Sequence, residues 1–217
     1  MEQWIGAISA REEFFYPDTP LCALPDSLSL AAPGNGRPGV QLLVKTDAKA
    51  LCARLQSEQY DAEFFCMKAI PVEYNTGDGE DQGGAMVLEQ RPAQKPWYAT
   101  RLAPFAVYDC LKPSPDGRIE TENGVAALYV CLVPKPGAPA GECAAVLSLG
   151  GYSCTLRIRR YGVTIPQDTF PVTNWFSVEA ICRMHHVASG TPEFYDMERR
   201  YARAMRRAQQ NILHLEM

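Results

Sequence analysis

Histidines, cysteines and paired carboxylates carry most proton-transfer, nucleophilic and metal chemistry, so their placement comes first. There are three histidines. His185 and His186 are adjacent, and neighbours on a helix point in different directions, whereas two imidazoles sharing a metal on a helix need a spacing of four. His214 stands in the apolar run Ile212-Leu213-His214-Leu215, which reads as a strand. It is either a polar group facing a substrate or a hydrogen-bonded core histidine. The eight cysteines, Cys22, Cys52, Cys66, Cys110, Cys131, Cys143, Cys154 and Cys182, form no Cys-x-x-Cys pair. Several lie inside apolar runs, such as Ala-Leu-Tyr-Val-Cys-Leu-Val at 127–133, where cysteine behaves as a small hydrophobe. They read as buried free thiols in a reducing compartment, with a disulfide framework as the alternative. Their spacing fits no zinc pattern.

Other constellations are equally plain. Glycoside hydrolysis usually needs two carboxylates flanking one bond. None of the 25 acidic residues is placed by sequence alone in such a pair. The glycine-rich stretches at 32–39 and 77–84 match neither a phosphate loop nor a dinucleotide fingerprint. Asp78-Gly79-Glu80-Asp81 lacks the ligand spacing of an EF-hand. No catalytic residue can be named from these patterns, and neither a metal nor a cofactor is expected.

The elements that must position these groups read as mainly β up to about residue 163. Apolar runs at Trp4–Ile8, Val40–Val44, Phe64–Tyr74, Ala103–Leu111, Val125–Val133, Cys143–Leu149 and Ser153–Val163 are separated by Gly- and Pro-rich segments. That punctuation predicts a sandwich or barrel. The clearest element is a hairpin near 143–160. Cys154, Leu156 and Ile158 alternate with Thr155, Arg157 and Arg159, so one face is buried and one wet. Gly150-Gly151 supplies the tight turn. Within this region Thr46–Leu55 reads as a short helix, with Leu51 and Leu55 four apart.

Beyond residue 164, Ile165-Pro166 and Phe170-Pro171 read as an extended linker. Ser177–His186 reads as a helix. Thr191-Pro192-Glu193 then marks a second helix start, with Thr at the N-cap and Pro at the first helical position. Phe194, Met197, Tyr201, Met205, Ala208 and Ile212 follow at steps of three and four and define its apolar face. Arg199, Arg200, Arg203, Arg206 and Arg207 read as a solvated face, since Asp196 stands four residues before Arg200. The tail from Asn211 reads as the beginning of another strand.

The last elements, Gly124–Cys143 and Gly39–Val44 resemble glycoside hydrolase family 123. The resemblance rests on Gly-Val-Ala-Ala-Leu-Tyr-Val-Cys-Leu-Val-Pro-Lys-Pro-Gly-Ala-Pro-Ala-Gly-Glu-Cys (124–143) and on Thr173-Asn174-Trp175-Phe176. It rests also on Tyr201-Ala202-Arg203-Ala204-Met205 with Gln210-Asn211, and on Gly39-Val40-Gln41-Leu42-Leu43-Val44. It implies a β-sandwich followed by a (β/α)8 barrel that cleaves β-linked N-acetylgalactosamine with help from the sugar's own acetamide. The family's Asp–Glu pair lies further along the barrel than this sequence reaches, so it is not carried over. If Val172-Thr173 ends a first barrel strand, Asn174 and Trp175 fall on the face where barrel active sites sit. There Trp175 would stack on a sugar and Asn174 would hydrogen-bond a hydroxyl; alternatively Trp175 seals the domain junction.

The expected fold class is therefore mainly β. An N-terminal β-sandwich of immunoglobulin-like or jelly-roll type spans 1–163. Linker, helices and one strand of an incomplete (β/α)8 barrel span 164–217. The expected function is that of an N-terminal accessory region of a glycoside hydrolase similar to β-N-acetylgalactosaminidases, inactive alone. The alternative is a stand-alone carbohydrate- or protein-binding module. Asn174, Trp175 and His214 are the candidate substrate-binding residues. Expected partners are a carbohydrate ligand, the remainder of the barrel, and further copies of the chain through an exposed apolar helix face. With 47% hydrophobic and 21% charged residues over 217 positions, a large core is affordable. The net charge of −4 argues against nucleic acid. No apolar run of 18 residues suggests a membrane helix, and no signal-like N-terminus is present, so a cytoplasmic location is expected.

Overall fold

The structure, a computed structural model, describes residues 3–11, 13–76, 87–88, 92–97, 99–166, 171–172 and 177–212. It is mainly β, with thirteen strands and two helices among those residues. Two compact units are present, Met1–Thr164 and Ile165–Met217. Among the described residues no helix is long and apolar enough to cross a membrane.

In the first unit the strands are β1 (Ile5–Ser9), β2 (Cys22–Ala23), β3 (Ser27–Ala32), β4 (Gly39–Lys45), β5 (Ala50–Gln56) and β6 (Tyr60–Val72). They continue with β7 (Asn75–Thr76), β8 (Val87–Leu88), β9 (Phe105–Pro113), β10 (Arg118–Glu122), β11 (Val125–Pro134), β12 (Gly141–Leu149) and β13 (Tyr152–Arg160). All but β7 and β8 belong to one curled sheet in the order β2-β1-β4-β11-β10-β5-β12-β13-β3. The sheet forks at β11. One edge of β11 lies along β4, while the other meets β10 at Ala126 and β6 from Leu128 to Pro134. β9 then pairs with the far edge of β6.

Curling brings the inner faces together over one core. Val40, Leu42 and Val44 of β4, Leu128, Val130 and Leu132 of β11, Leu147 and Leu149 of β12, and Leu156 and Ile158 of β13 are all fully buried there. Each such side chain contributes about 1.5–3 kcal/mol on leaving water. A second cluster, Phe15, Leu43, Met67, Tyr108 and Ala127, covers the opposite face of β4, β6 and β11. Leu42, Leu43 and Val44 are consecutive and all buried, because β4 is sandwiched between the two clusters and neither face meets water.

The predicted hairpin forms as β12–β13, in register from Gly141↔Arg160 to Leu149↔Tyr152. Gly150 takes φ +60° in its two-residue turn. Cys154, Leu156 and Ile158 are buried and Arg157 and Arg159 are exposed. The helix expected over Thr46–Leu55 is a strand instead. β5 pairs with β10 through Leu51↔Ile119 and with β12 through Leu55↔Leu147. Two waiting edges satisfied its backbone, and that outweighed a local helical spacing.

The second unit contains α1 (Val178–His185) and α2 (Pro192–Arg207). Ser177 caps α1 by accepting from the Ala180 N–H at 3.2 Å. Thr191 caps α2 by accepting from Phe194 N–H at 3.3 Å, with Pro192 at the first position. Phe194 and Ile181 are the buried side chains of the pair. The helix stops at Arg207 with Ala208 as its cap, so Ala208 and Ile212, expected on its apolar face, lie beyond it and are exposed.

Candidate functional site

The three side chains that sequence reasoning put forward, Asn174, Trp175 and His214, lie outside the described residues. Their described neighbours in sequence do meet. Val172 N–H donates to Asn211 Oδ1 at 2.9 Å, and Asn211 and Ile212 N–H both approach Val172 O, at 3.0 and 3.2 Å. This knot closes the second unit and shapes an open groove of about 580 Å³ lined by Pro171, Ala202, Met205, Arg206, Gln210 and Asn211.

His185 and His186 are accounted for structurally. His185 Nε2 lies 2.9 Å from the Tyr201 hydroxyl, with the rings edge-on at 5.6 Å, which ties α1 to α2. His186 ends α1 at φ 54° as a left-handed cap. Asp196 pairs with Arg200 at 2.7 Å on the exposed face of α2. Among the described residues no group of three or more His, Cys, Asp or Glu side chains is assembled to hold a metal.

Several charged groups of the first unit are paired internally. Lys68 of β6 bridges Glu122 and Glu120 of β10, the latter at 3.5 Å. Arg101 forms a two-pronged bond with Asp18, and its guanidinium lies over the rings of Tyr16 and Phe105 at 4.7 and 5.4 Å. The hydrogen bond from Arg101 holds the Asp18 carboxyl below the usual carboxylate range and raises Arg101 in turn. The β9–β10 turn is built on Asp116, which accepts from Arg118 N–H at 3.1 Å and lies 3.1 Å from Ser114 Oγ. These bonds, first that from the Arg118 backbone, lower Asp116 as well. Burial pushes the thiols of Cys66, Cys143 and Cys154 up, away from the reactive thiolate. No described carboxylate is left in an apolar pocket as a general acid would be.

One feature went unnoticed in sequence: an opening between two edges of the curled sheet. The segment Cys22–Ala32 first pairs with β1, through Ile5↔Ala23 and Gly6↔Cys22, and then turns to run parallel to β13 as β3. Below, it bridges the two edges, as Leu24 N–H donates to Trp4 O and Thr155 N–H to Asp26 O, both at 2.9 Å. Above, β1 and β3 stand apart around a slot of about 580 Å³ lined by Ile8, Ser9, Arg11, Leu28, Leu30 and Ala31. The signal was there in Ser27-Leu28-Ser29-Leu30-Ala31, a strict alternation. It was masked by its neighbours Pro20, Pro25 and Pro33, which read as loop.

No family model matches the chain, and no curated protein matches it. Among solved structures the chain is similar to a family 123 glycoside hydrolase from Clostridium perfringens, studied for its hydrolysis of glycolipid glycans. The TM-score is 0.60 at 12% identity, and the match covers 93% of this chain but 36% of the hydrolase. A likeness at that identity is one of fold, and the chain spans about a third of that hydrolase's length.

Proposed function

We propose that the chain is an N-terminal accessory region of a family 123-like glycoside hydrolase. Its first unit is the sandwich-type support, and its second unit supplies the opening elements of a (β/α)8 barrel. The observation that carries this reading is the breadth of the structural match, which runs over 93% of the chain and so over both units. The Val172–Asn211 contact supports it: it brings the segment before α1 beside the segment after α2, as the chain order of a βαβ unit requires. Catalysis then belongs to the larger protein, whose substrate class is a β-linked N-acetylgalactosamine. Asn174, Trp175 and His214 line its sugar-binding face, and the remaining barrel is the accessory region's partner.

The test compares the 217-residue chain with the product of the longer reading frame on 4-nitrophenyl N-acetyl-β-galactosaminide. The longer product hydrolyses it and the shorter does not. Turnover by the 217-residue chain itself, or a stop codon directly after Met217, would sink the accessory reading in favour of a separate enzyme or binding module. In the longer product, Trp175→Ala abolishes turnover with an unchanged melting temperature. A drop in melting temperature alone would place Trp175 at the domain seam.

A further inference from the structure

We infer that the slot between β1 and β3 takes up an extended peptide segment of a partner protein as an added β-strand. The slot lies along the edge of β1 above β2, which pairs with that same edge at its lower end through Ile5↔Ala23 and Gly6↔Cys22. β2 stops at Cys22 because the chain before it cannot continue: Pro17 and Pro20 lack N–H groups. Residues 16–19 are instead folded into a turn, with Thr19 N–H donating to Tyr16 O at 2.9 Å. Among the described residues the place directly above β2 is therefore unoccupied.

Both walls present backbone to that place. Thr155 and Tyr161 N–H donate to Asp26 and Ala32 O, each at 2.9 Å, so the even-numbered residues of β3 face β13. The N–H and C=O groups of Ser27, Ser29 and Ala31 turn the other way, into the slot. On β1, the Trp4–Leu24 bond sets the alternation, so the backbone groups of Ile8 face the slot too. Among the described residues β3 pairs with β13 alone. Exposed edges are usually blunted by charge or proline. Ser27–Ala32 has neither.

Size and chemistry select the occupant. A strand residue fills about 160 Å³ at ordinary strand and sheet spacings. The slot of about 580 Å³ thus holds about four residues, against the two that β2 contributes. Its floor is Ile8, Leu28 and Leu30, which belong to or pack on the main core, so alternate residues of the occupant are apolar. A lone, proline-free peptide running antiparallel to β1 fits. The edge of a second folded copy does not, because its neighbouring strands would collide with whichever wall they did not pair with.

The probe is the peptide acetyl-Thr-Val-Thr-Val-Thr-amide titrated into the isotope-labelled 217-residue chain, with acetyl-Thr-Val-Pro-Val-Thr-amide as control. Saturable amide shifts are expected at Ile8, Ser27, Ser29 and Ala31, with slowed hydrogen exchange there. The proline peptide binds about tenfold more weakly, having lost a backbone donor. Ser29→Pro removes an N–H that the β13 ladder does not use, so the fold survives and binding of the first peptide falls several-fold. Equal binding of the two peptides, or no saturable change at those amides, overturns the inference. So does protection of the same amides by concentration-dependent dimers without peptide, which would make a second copy the occupant.

Discussion

Gly6 shows how tightly single atoms are held in the first unit. A Cβ at that position would lie 2.0 Å from Leu43 O and 2.9 Å from Leu24 Cδ1. The backbone of β4 cannot retreat, since Leu42 and Val44 anchor it in the core. Gly6→Ala is expected to cost about 1–3 kcal/mol, read as a lower urea midpoint with an unchanged slope. The thiols give a second residue-scale expectation. Cys22, Cys52 and Cys110 are exposed, while Cys66 and Cys154 are buried with raised pKa values. Iodoacetamide at pH 8 therefore labels the first three in the native protein and reaches Cys66 and Cys154 only after denaturant, as mass mapping will show. The Asp18–Arg101 pair sets a pH dependence. With the folded Asp18 pKa lowered by the Arg101 bond, the stabilisation is present above the unfolded carboxylate pKa of about 3.9. It disappears as pH falls through the lowered folded value. Asp18→Asn should lower the melting temperature slightly at pH 7, and the difference should shrink as pH falls below about 3.9.

At the scale of elements, the same physics decided what sequence could and could not show. β13 was legible because Cys154, Leu156 and Ile158 alternate with arginines, and a half-buried strand leaves that period in its residues. β4 was legible as an apolar run but not as a strand buried on both faces, since Leu42 and Leu43 look alike whichever cluster they enter. β5 was misread because its fate depended on β10 and β12, which lie far away in sequence. The candidate site was less legible still. Asn174, Trp175 and His214 were put forward from a resemblance, and what the described residues add is the meeting of Val172 with Asn211. The helix boundaries were written locally, in Ser177 and in Thr191-Pro192, and could be read without tertiary context. Removing the second of these caps by Thr191→Ala is expected to destabilise α2 by about 1 kcal/mol. Circular dichroism of a 188–212 peptide in trifluoroethanol checks it, with lower helicity than the parent peptide as the outcome.

At the scale of the whole molecule, both hydrophobic clusters are composed of residues from Met1–Thr164. A chain ending at residue 164 is therefore expected to keep a single cooperative urea transition, with a slope appropriate to its size. Leu156→Ala in that shorter chain removes a fully buried side chain and costs about 2–5 kcal/mol. A gradual, non-cooperative loss of signal from the shorter chain would mean that its core depends on residues beyond 164. The helical unit buries few side chains, Ile181 and Phe194 among them. Such a unit draws little stability from its own packing.

The parallel pairing of β3 with β13 joins residues 27–32 to residues 155–160, and that separation has a consequence during synthesis. At about 5–20 residues per second, the ribosome needs on the order of 10 s to deliver β13 after β3 has emerged. For that interval Ser-Leu-Ser-Leu-Ala-Ala is an uncharged, alternating segment with no native neighbour, and such segments are prone to improper pairing. Nascent chains stalled shortly before residue 155 should therefore be held by chaperones at β3. Chains stalled far enough beyond residue 160 for β13 to have left the exit tunnel should be released.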